Sequence, residues 1–457
     1  MPDSTSGPVL QSQRNAARAA ALFDFTHGID VDRRLAAQET AVQTAWAHAL
    51  ARAGLLSAHD AQQVGSAMDE ARRLMEVGEF DWQIADEDIH MNLERFVTLR
   101  HGPLGKRMHV GRSRNDLIAT TLRLFVRDAC SEVRRAAASL GLALVDRAAA
   151  FTDTIVPGMT HLQHAQPIRL GHAFAAHAFS LSRDLSVLER AAQNAMLAMP
   201  LGAAAMAGTT VHIDLSTLAR DLGFQSPPQN AYDAVGDRDF MLDALNAFAA
   251  VALHLSRMSE DFIFWSSSPV GLLRLPPAWS TGSSIMPNKR NPDVPELVRA
   301  KSAHIMACVT DGFMLMKALP SSYDSDMHEL KRVLLRSFDD TIASLSAFTP
   351  FTSGLEVNPA RAAALLSHGH LLATELADEL ARRGVPFRDA YARIAALVEQ
   401  AEAHGVQIHE LPEARAILPD LSFESAVERR NAPGGTARAP LSAALASLRA
   451  VFSTVAT

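Results

Sequence analysis

Residues 240–265 read FMLDALNAFAAVALHLSRMSEDFIFW. Apolar residues fall on almost every face of the helix this run would form, so it suits a helix buried in a bundle rather than one lying on a surface. The stretches around it keep the same character. Residues 35–54, LAAQETAVQTAWAHALARAG, have helical period and end on a Gly, as helices often do, and 58–77 give another helix. Further helices are expected over 117–151, over 295–319 with Pro295 suited to the first turn, and after Lys331 to about 345. Pro157-Gly158 reads as a break in the chain. The expected fold class is all-α.

The 457 residues are 48% hydrophobic, enough for a substantial core and for up to three domains. Gly102-Pro103 puts a boundary near 108, and the chain from about 358 reads as a further part. The expected domains are therefore 1–108, 109–357 and 358–457. A net charge of −7 points to neither nucleic acid nor an anionic membrane as partner. Cys130 and Cys308 are too few for a disulfide framework and lack metal-ligand spacing; they fit a reducing cytoplasm. Residues 1–15 are expected to form a loose arm without a signal-type apolar region. No apolar run reaches transmembrane length.

The chemistry concentrates in residues 280–293, STGSSIMPNKRNPD. Gly282 gives backbone freedom, and Pro287 and Pro292 restrict the later part of the loop. Ser283 and Ser284 supply hydroxyls, Lys289 an ammonium and Asn291 an amide. That set can hold a carboxylate and stabilise charge that builds on it, although the same residue types also suit a plain surface loop. Residues 109–116, HVGRSRND, crowd polar groups before a long helix. They read either as an anion site at a helix N-terminus or as a capped start with surface arginines. Residues 159–167, MTHLQHAQP, hold His161 and His164 three apart, but no third ligand has metal spacing. The acidic run at 86–94 suits a helix start favoured by the dipole.

These stretches together resemble the argininosuccinate lyase family of the fumarase/aspartase superfamily. The 280–293 loop is similar to its GSSxMPxKxNP signature, 109–116 to HTGRSRND, 159–167 to GxTHLQxAQP, 87–94 to EDIHxxxE, and 320–331 to LPxxYNKDMQEDK. Residues 425–430 with Gly434-Gly435-Thr436 look like its C-terminal domain. The resemblance covers nearly the whole chain in order. It implies a three-domain all-α fold whose long central helices form a twenty-helix bundle in a homotetramer, with active sites shared among three subunits.

The activity implied is anti elimination of an amine from an N-substituted aspartate, releasing fumarate, with no metal or organic cofactor. Carried over residue by residue, Ser283 is the base, and His161 supports proton transfer to the leaving amine. Thr160, Lys289 and Asn291 bind a substrate carboxylate. Ser113, Arg114, Asn115, Tyr323, His328 and Lys331 contact the substrate. A proton next to a carboxylate is weakly acidic, and its removal leaves a dianion, so cations and N–H donors must stand where that charge develops. A serine is basic enough only when fixed donors and a nearby Lys lower its pKa.

The chain departs from the family pattern mainly towards the amine end. Gly28 stands where the family carries Ser, Met91 and Val110 replace Thr, Leu117 replaces Gln and Tyr232 replaces Ser. Ser325 and His328 replace a Lys and a Gln. If these positions line the pocket, lost polar contacts cost roughly a kcal/mol or more each. Argininosuccinate and a different aminocarboxylate, of the ethylenediamine-disuccinate type, both remain open as substrates. An inactive, delta-crystallin-like homologue is a third possibility, which the intact Ser283, His161 and Lys289 argue against. A change of residue outside the pocket would carry no such meaning.

Overall fold

The computed structural model describes residues 20–456, so the 1–15 arm expected from the sequence lies outside the described residues. The chain divides into two compact units, each assembled from three segments. Helices dominate both, as the apolar periodicity requires. The long ones are Arg114–Ala150, Leu170–Ala195, Asp239–Ser266, Asp293–Met316 and Met327–Ser353.

The first unit comprises Met1–Glu132, Leu188–Phe248 and Ile305–Asp339. Its core forms where helices Ala36–Arg52, Ala58–Glu76 and Ile89–His101 bring Val42, Trp46, Leu50, Val64, Leu93 and Phe96 together. Ser57 starts the second of these helices with a reciprocal capping box to Asp60. Asp88 caps the third, accepting from the Met91 N–H at 2.9 Å.

The second unit comprises Val133–Val187, Ala249–His304 and Asp340–Thr457. An aromatic group of Phe174, Phe262, Phe348 and Phe351, all fully buried, fills its interior. Phe348 and Phe351 stack with centroids 5.7 Å apart. That packing carries helix Met327–Ser353 through Pro350 and past the end expected near 345, outweighing the roughly 3 kcal/mol an interior proline costs. A smaller core around Leu376, Leu380, Ile394, Ile408 and Leu411 gathers the later helices.

The described residues add three two-stranded sheets to the all-α expectation, two of them with strands of only two residues, Leu273–Arg274 with Glu356–Val357 and Thr281–Gly282 with Arg290–Asn291. Residues Ile155–Thr160 and Gln163–Arg169 pair as an antiparallel hairpin, where the sequence reads as a break. Pro157 sits directly opposite Pro167, and a bulge follows at Gly158/Met159. At Gly158 a Cβ would lie 3.0 Å from the Gln166 carbonyl oxygen, so the close strand approach favours glycine.

In helix Asp239–Ser266, Met241, Leu245, Phe248, Val251, Leu255, Met258 and Phe262 are fully buried, whereas Leu253 is 47% exposed. These residues recur every three to four positions and so share one face of the helix, with Leu253 on the opposite side; a single chain encloses one face of a run whose sequence suggests burial all round. Helix Arg438–Ala456 has the length and apolar composition to cross a membrane, unlike anything expected from the sequence. Its Leu441, Leu445, Leu448 and Phe452 are nonetheless buried within the second unit.

Candidate active site

In the first unit, one cavity of about 390 Å³ is lined by Ser113, Arg114, Asn115, Tyr323 and His328, together with Glu87, Asp88, His90 and Ser325. The turn before helix Arg114–Ala150 builds one wall. Asp116, fully buried, ties that turn down. It accepts from the Ser113 N–H at 2.9 Å, and its second oxygen accepts from the N–H groups of Gly202 and Ala204 at 2.9 and 2.8 Å. Burial pushes Asp116 up to about 6 in spite of those donors. The Asn115 amide donates to the Ala205 carbonyl at 3.2 Å, so 113–115 and 202–205 form one connected surface. Sequence reasoning misses Asp116, although Ser113-x-x-Asp116 is a capping-box spacing.

Arg114 is held by Glu87 at 3.0 Å and by Asp88. Against its burial, these carboxylates raise its pKa further, so it stays a cation. Tyr323 and His328 Nε2 are hydrogen-bonded to each other. Burial, reinforced by the Lys331 charge, lowers His328 to about 4, and burial raises Tyr323 to about 12, so both are neutral at pH 7. Lys331 is buried in an ion pair with Asp32, a residue that no motif in the sequence singles out. The pair joins positions 299 residues apart, a separation no local pattern reveals.

Behind the cavity wall, buried Glu39 pairs with His90 at 2.7 Å and accepts from the Thr121 hydroxyl at 2.7 Å. Burial alone would lower the His90 pKa, but the charges of Glu39 and Asp88 raise it.

Of the departures from the family pattern, Ser325 and His328 line this cavity. Leu117 does not: it is fully enclosed in the apolar core of the first unit, where a leucine is favoured for packing. Tyr232 is half exposed and lines a different cavity. Gly28 donates its N–H to the Glu87 carbonyl at 2.9 Å, and a side chain there would meet the Asp32 carboxylate at 3.1 Å.

In the second unit, Thr160 and His161 stand at the tip of the hairpin. His161 and Leu162 are its two loop residues, each with φ near +57°. That left-handed pair suits a two-residue hairpin turn but is normally filled by Asn or Gly, so the residues here carry no hairpin signal. His161 also lines a cavity of about 620 Å³ with Met159, His177, Arg257 and Trp265.

Ser283 and Lys289 lie on the loop between two short paired strands, Thr281–Gly282 and Arg290–Asn291; Lys289 is exposed, Ser283 is half-buried, and Asn291 ends the second strand opposite Thr281. Asp293, in the first turn of helix Asp293–Met316, anchors the loop by accepting from the Thr281 N–H at 3.0 Å and its hydroxyl at 2.6 Å. The Ser283 Oγ accepts from the backbone N–H groups of Ile285 at 3.3 Å and Met286 at 3.1 Å. Two fixed donors on one hydroxyl oxygen favour its alkoxide. Among the described residues no group of three or more His, Cys, Asp or Glu is placed to hold a metal ion.

A helical bundle with a GSSxMPxKxNP loop, a Thr-His hairpin and a Ser-Arg-Asn helix start defines a lyase of the fumarase/aspartase class. A "Lyase" family model matches residues 14–307, and an "Argininosuccinate lyase C-terminal" model matches 370–429. An argininosuccinate lyase of Nitratidesulfovibrio vulgaris is 40% identical over 440 residues, covering 94% of this chain and 95% of that protein. Among solved structures, an EDDS lyase variant with bound fumarate superposes with a TM-score of 0.80 at 24% identity, covering 95% of this chain and 89% of the other. A class II fumarase from Schistosoma mansoni gives 0.71 at 20% identity, covering 86% and 88%. The chain belongs to the argininosuccinate lyase family, and it is a carbon–nitrogen lyase that releases fumarate.

Proposed function

We propose that the chain cleaves argininosuccinate to fumarate and arginine by reversible anti β-elimination, the step that would place it in arginine biosynthesis. The observation that carries this reading is the Ser283 hydroxyl receiving two backbone donors in a loop that also bears Lys289. Ser283 takes the Cβ proton of the succinyl unit. The C–H electron pair becomes the C=C bond, and the C–N bond breaks. His161, directly or through water, returns a proton to the departing nitrogen. Lys289, Asn291 and Thr160 hold the carboxylate on which the second negative charge develops, a geometry that favours the transition state over the substrate. Ser113, Arg114 and Asn115 contact the substrate beside them. Tyr323 and His328 receive the amine portion, and Lys331 acts from its pair with Asp32.

The reading includes a homotetramer with sites shared between subunits, three domains at 1–108, 109–357 and 358–457, and a cytoplasmic location. Large apolar side chains exposed on the long helices support self-association: Leu297 is 62% exposed and Phe313 51%. A second substrate reading is favoured by one observation. Two of the departing residues, Ser325 and His328, line the first-unit cavity, and His328 is neutral there. An aminocarboxylate with a different amine, of the ethylenediamine-disuccinate type, is that alternative. The test is fumarate absorbance with argininosuccinate and ethylenediamine-disuccinate side by side. Turnover of argininosuccinate supports the first reading, and turnover of only the second compound replaces it. Silence with both, and with amines added to fumarate, would remove it.

A further inference from the structure

The hairpin of the second unit is a poor support taken alone. A lone two-stranded hairpin is marginal in water, and here both loop residues, His161 and Leu162, sit in the left-handed region that side chains disfavour. Two contacts from the C-terminal part of the chain brace it at opposite ends.

At the base, Arg169 closes the second strand and is fully buried. Its guanidinium donates to Glu424 at 2.6 Å and to Glu428, and to the Thr152 carbonyl at 3.0 Å. Its backbone N–H donates to the Thr436 hydroxyl at 2.8 Å. Near the tip, the His164 ring meets the carbonyl of His368 at 3.3 Å. Gly369, at φ +85°, lies so close that a Cβ there would stand 3.0 Å from the His164 Cβ. The 368–370 turn is itself fixed, because the His370 N–H donates to the Gln407 side chain and the Ile408 N–H donates to His370 Nδ1, both at 3.2 Å. Helix Phe423–Arg429, which carries Glu424 and Glu428, and the Gly434-Gly435-Thr436 after it thus have a physical task. Gly435 allows the turn that delivers Thr436, since a Cβ there would fall 2.0 Å from the Arg430 carbonyl oxygen.

We propose that Arg169, Glu428 and the 368–370 turn are positioning residues, through which the C-terminal region holds the hairpin so that His161 meets the departing nitrogen in a fixed orientation. This rests on the role given to His161 under the proposed function. Displacing a proton donor by a fraction of an ångström lowers turnover far more than it weakens binding.

The test uses the full-length protein with Glu428→Gln, whose side chain is 43% exposed and so leaves the core untouched, and Gly369→Ala at the other brace. Each is expected to lower kcat about tenfold or more, with KM changed less than about twofold. Glu428→Asp, which keeps the carboxylate, is expected to restore most of the turnover. Amide hydrogen exchange over 158–164 is expected to quicken in both impaired variants. Unchanged exchange there overturns the proposal, as does a loss of activity that only follows the folded fraction or appears in KM alone. Exchange reads the brace without substrate, so an unmodified protein silent on argininosuccinate would count against the substrate reading and not against this one.

Discussion

At the scale of single residues, the reaction needs a base far stronger than an ordinary serine. The Ser283 Oγ already accepts from two backbone N–H groups; if it is that base, as proposed, removing the oxygen removes it without disturbing the backbone that presents it. Ser283→Ala is expected to lower elimination by about 10²–10⁴-fold, the usual worth of a positioned proton acceptor. The loop should stay intact. A variant with near-normal fumarate release would take the role away from Ser283. The amine end is proposed to be set by different residues. His328→Gln with Ser325→Lys, both on the first-unit cavity, is expected to raise the preference for argininosuccinate over other N-substituted aspartates. Equal ratios of kcat/KM before and after would show that these two side chains do not choose the amine.

Glu94 offers a test of the electrostatics. It is almost fully buried, its Oε1 has no hydrogen-bond partner among the described residues, and burial raises its pKa to about 7. Its unfolded value is near 4.3, so between pH 4 and 7 the folded state binds the extra proton. The stability this gives is complete below the unfolded pKa and lost as pH rises through the folded one. Glu94→Gln, which mimics the protonated acid, should therefore gain roughly 3–4 kcal/mol on the unmodified protein between pH 4 and pH 8. Urea unfolding at the two pH values measures it, and a difference that does not change with pH would refute the burial argument.

Among the elements, the long helices are legible because their period and apolar content are strong local signals. The 240–265 run lies within helix Asp239–Ser266, and the 117–151 pattern within Arg114–Ala150 nearly to its end. The 155–169 hairpin is not legible. Pro157, Gly158 and Pro167 all read as breakers, and its turn carries His161-Leu162 instead of the Asn-Gly that would announce it. Candidate site residues are picked out in the sequence where they sit in short segments of unusual composition, as in 280–293. Asp32 against Lys331, and Arg169 against Glu424 and Glu428, arise only when distant segments fold together.

The C-terminal helix shows how tightly such long-range packing can be set. Phe452 lies over Gly141 in the second unit, where an added Cβ would come within 2.4 Å of its ring. Gly141→Ala removes a glycine from a helix interior, which alone would stabilise by up to about 1 kcal/mol. The overlap should outweigh that gain, for a net loss of about 1–3 kcal/mol. Urea unfolding measures the outcome, and a more stable variant would mean that the Phe452 ring moves freely.

At the scale of the whole molecule, the candidate residues fall into groups that one chain carries on separate segments. Ser113, Arg114 and Asn115 belong to the first unit, and His161 and Ser283 to the second. Apolar side chains such as Leu253, Leu297 and Phe313 are exposed on the long helices, surface that an isolated chain would leave in water. A symmetric assembly would bury them. If the assembly also shares its sites, two inactive variants can repair each other. On the proposed roles, His161→Asn and Ser283→Ala are each expected to silence every site when present alone. Mixed assemblies, formed by dissociating and reassociating equal amounts of both, would contain sites that draw His161 from one chain and Ser283 from another. Such mixtures are expected to recover fumarate release, while each variant taken separately through the same procedure stays silent. Recovery fixes both the self-association and the shared site in one measurement. Reassociation to the native size without recovery would mean that His161 and Ser283 act together within a single chain.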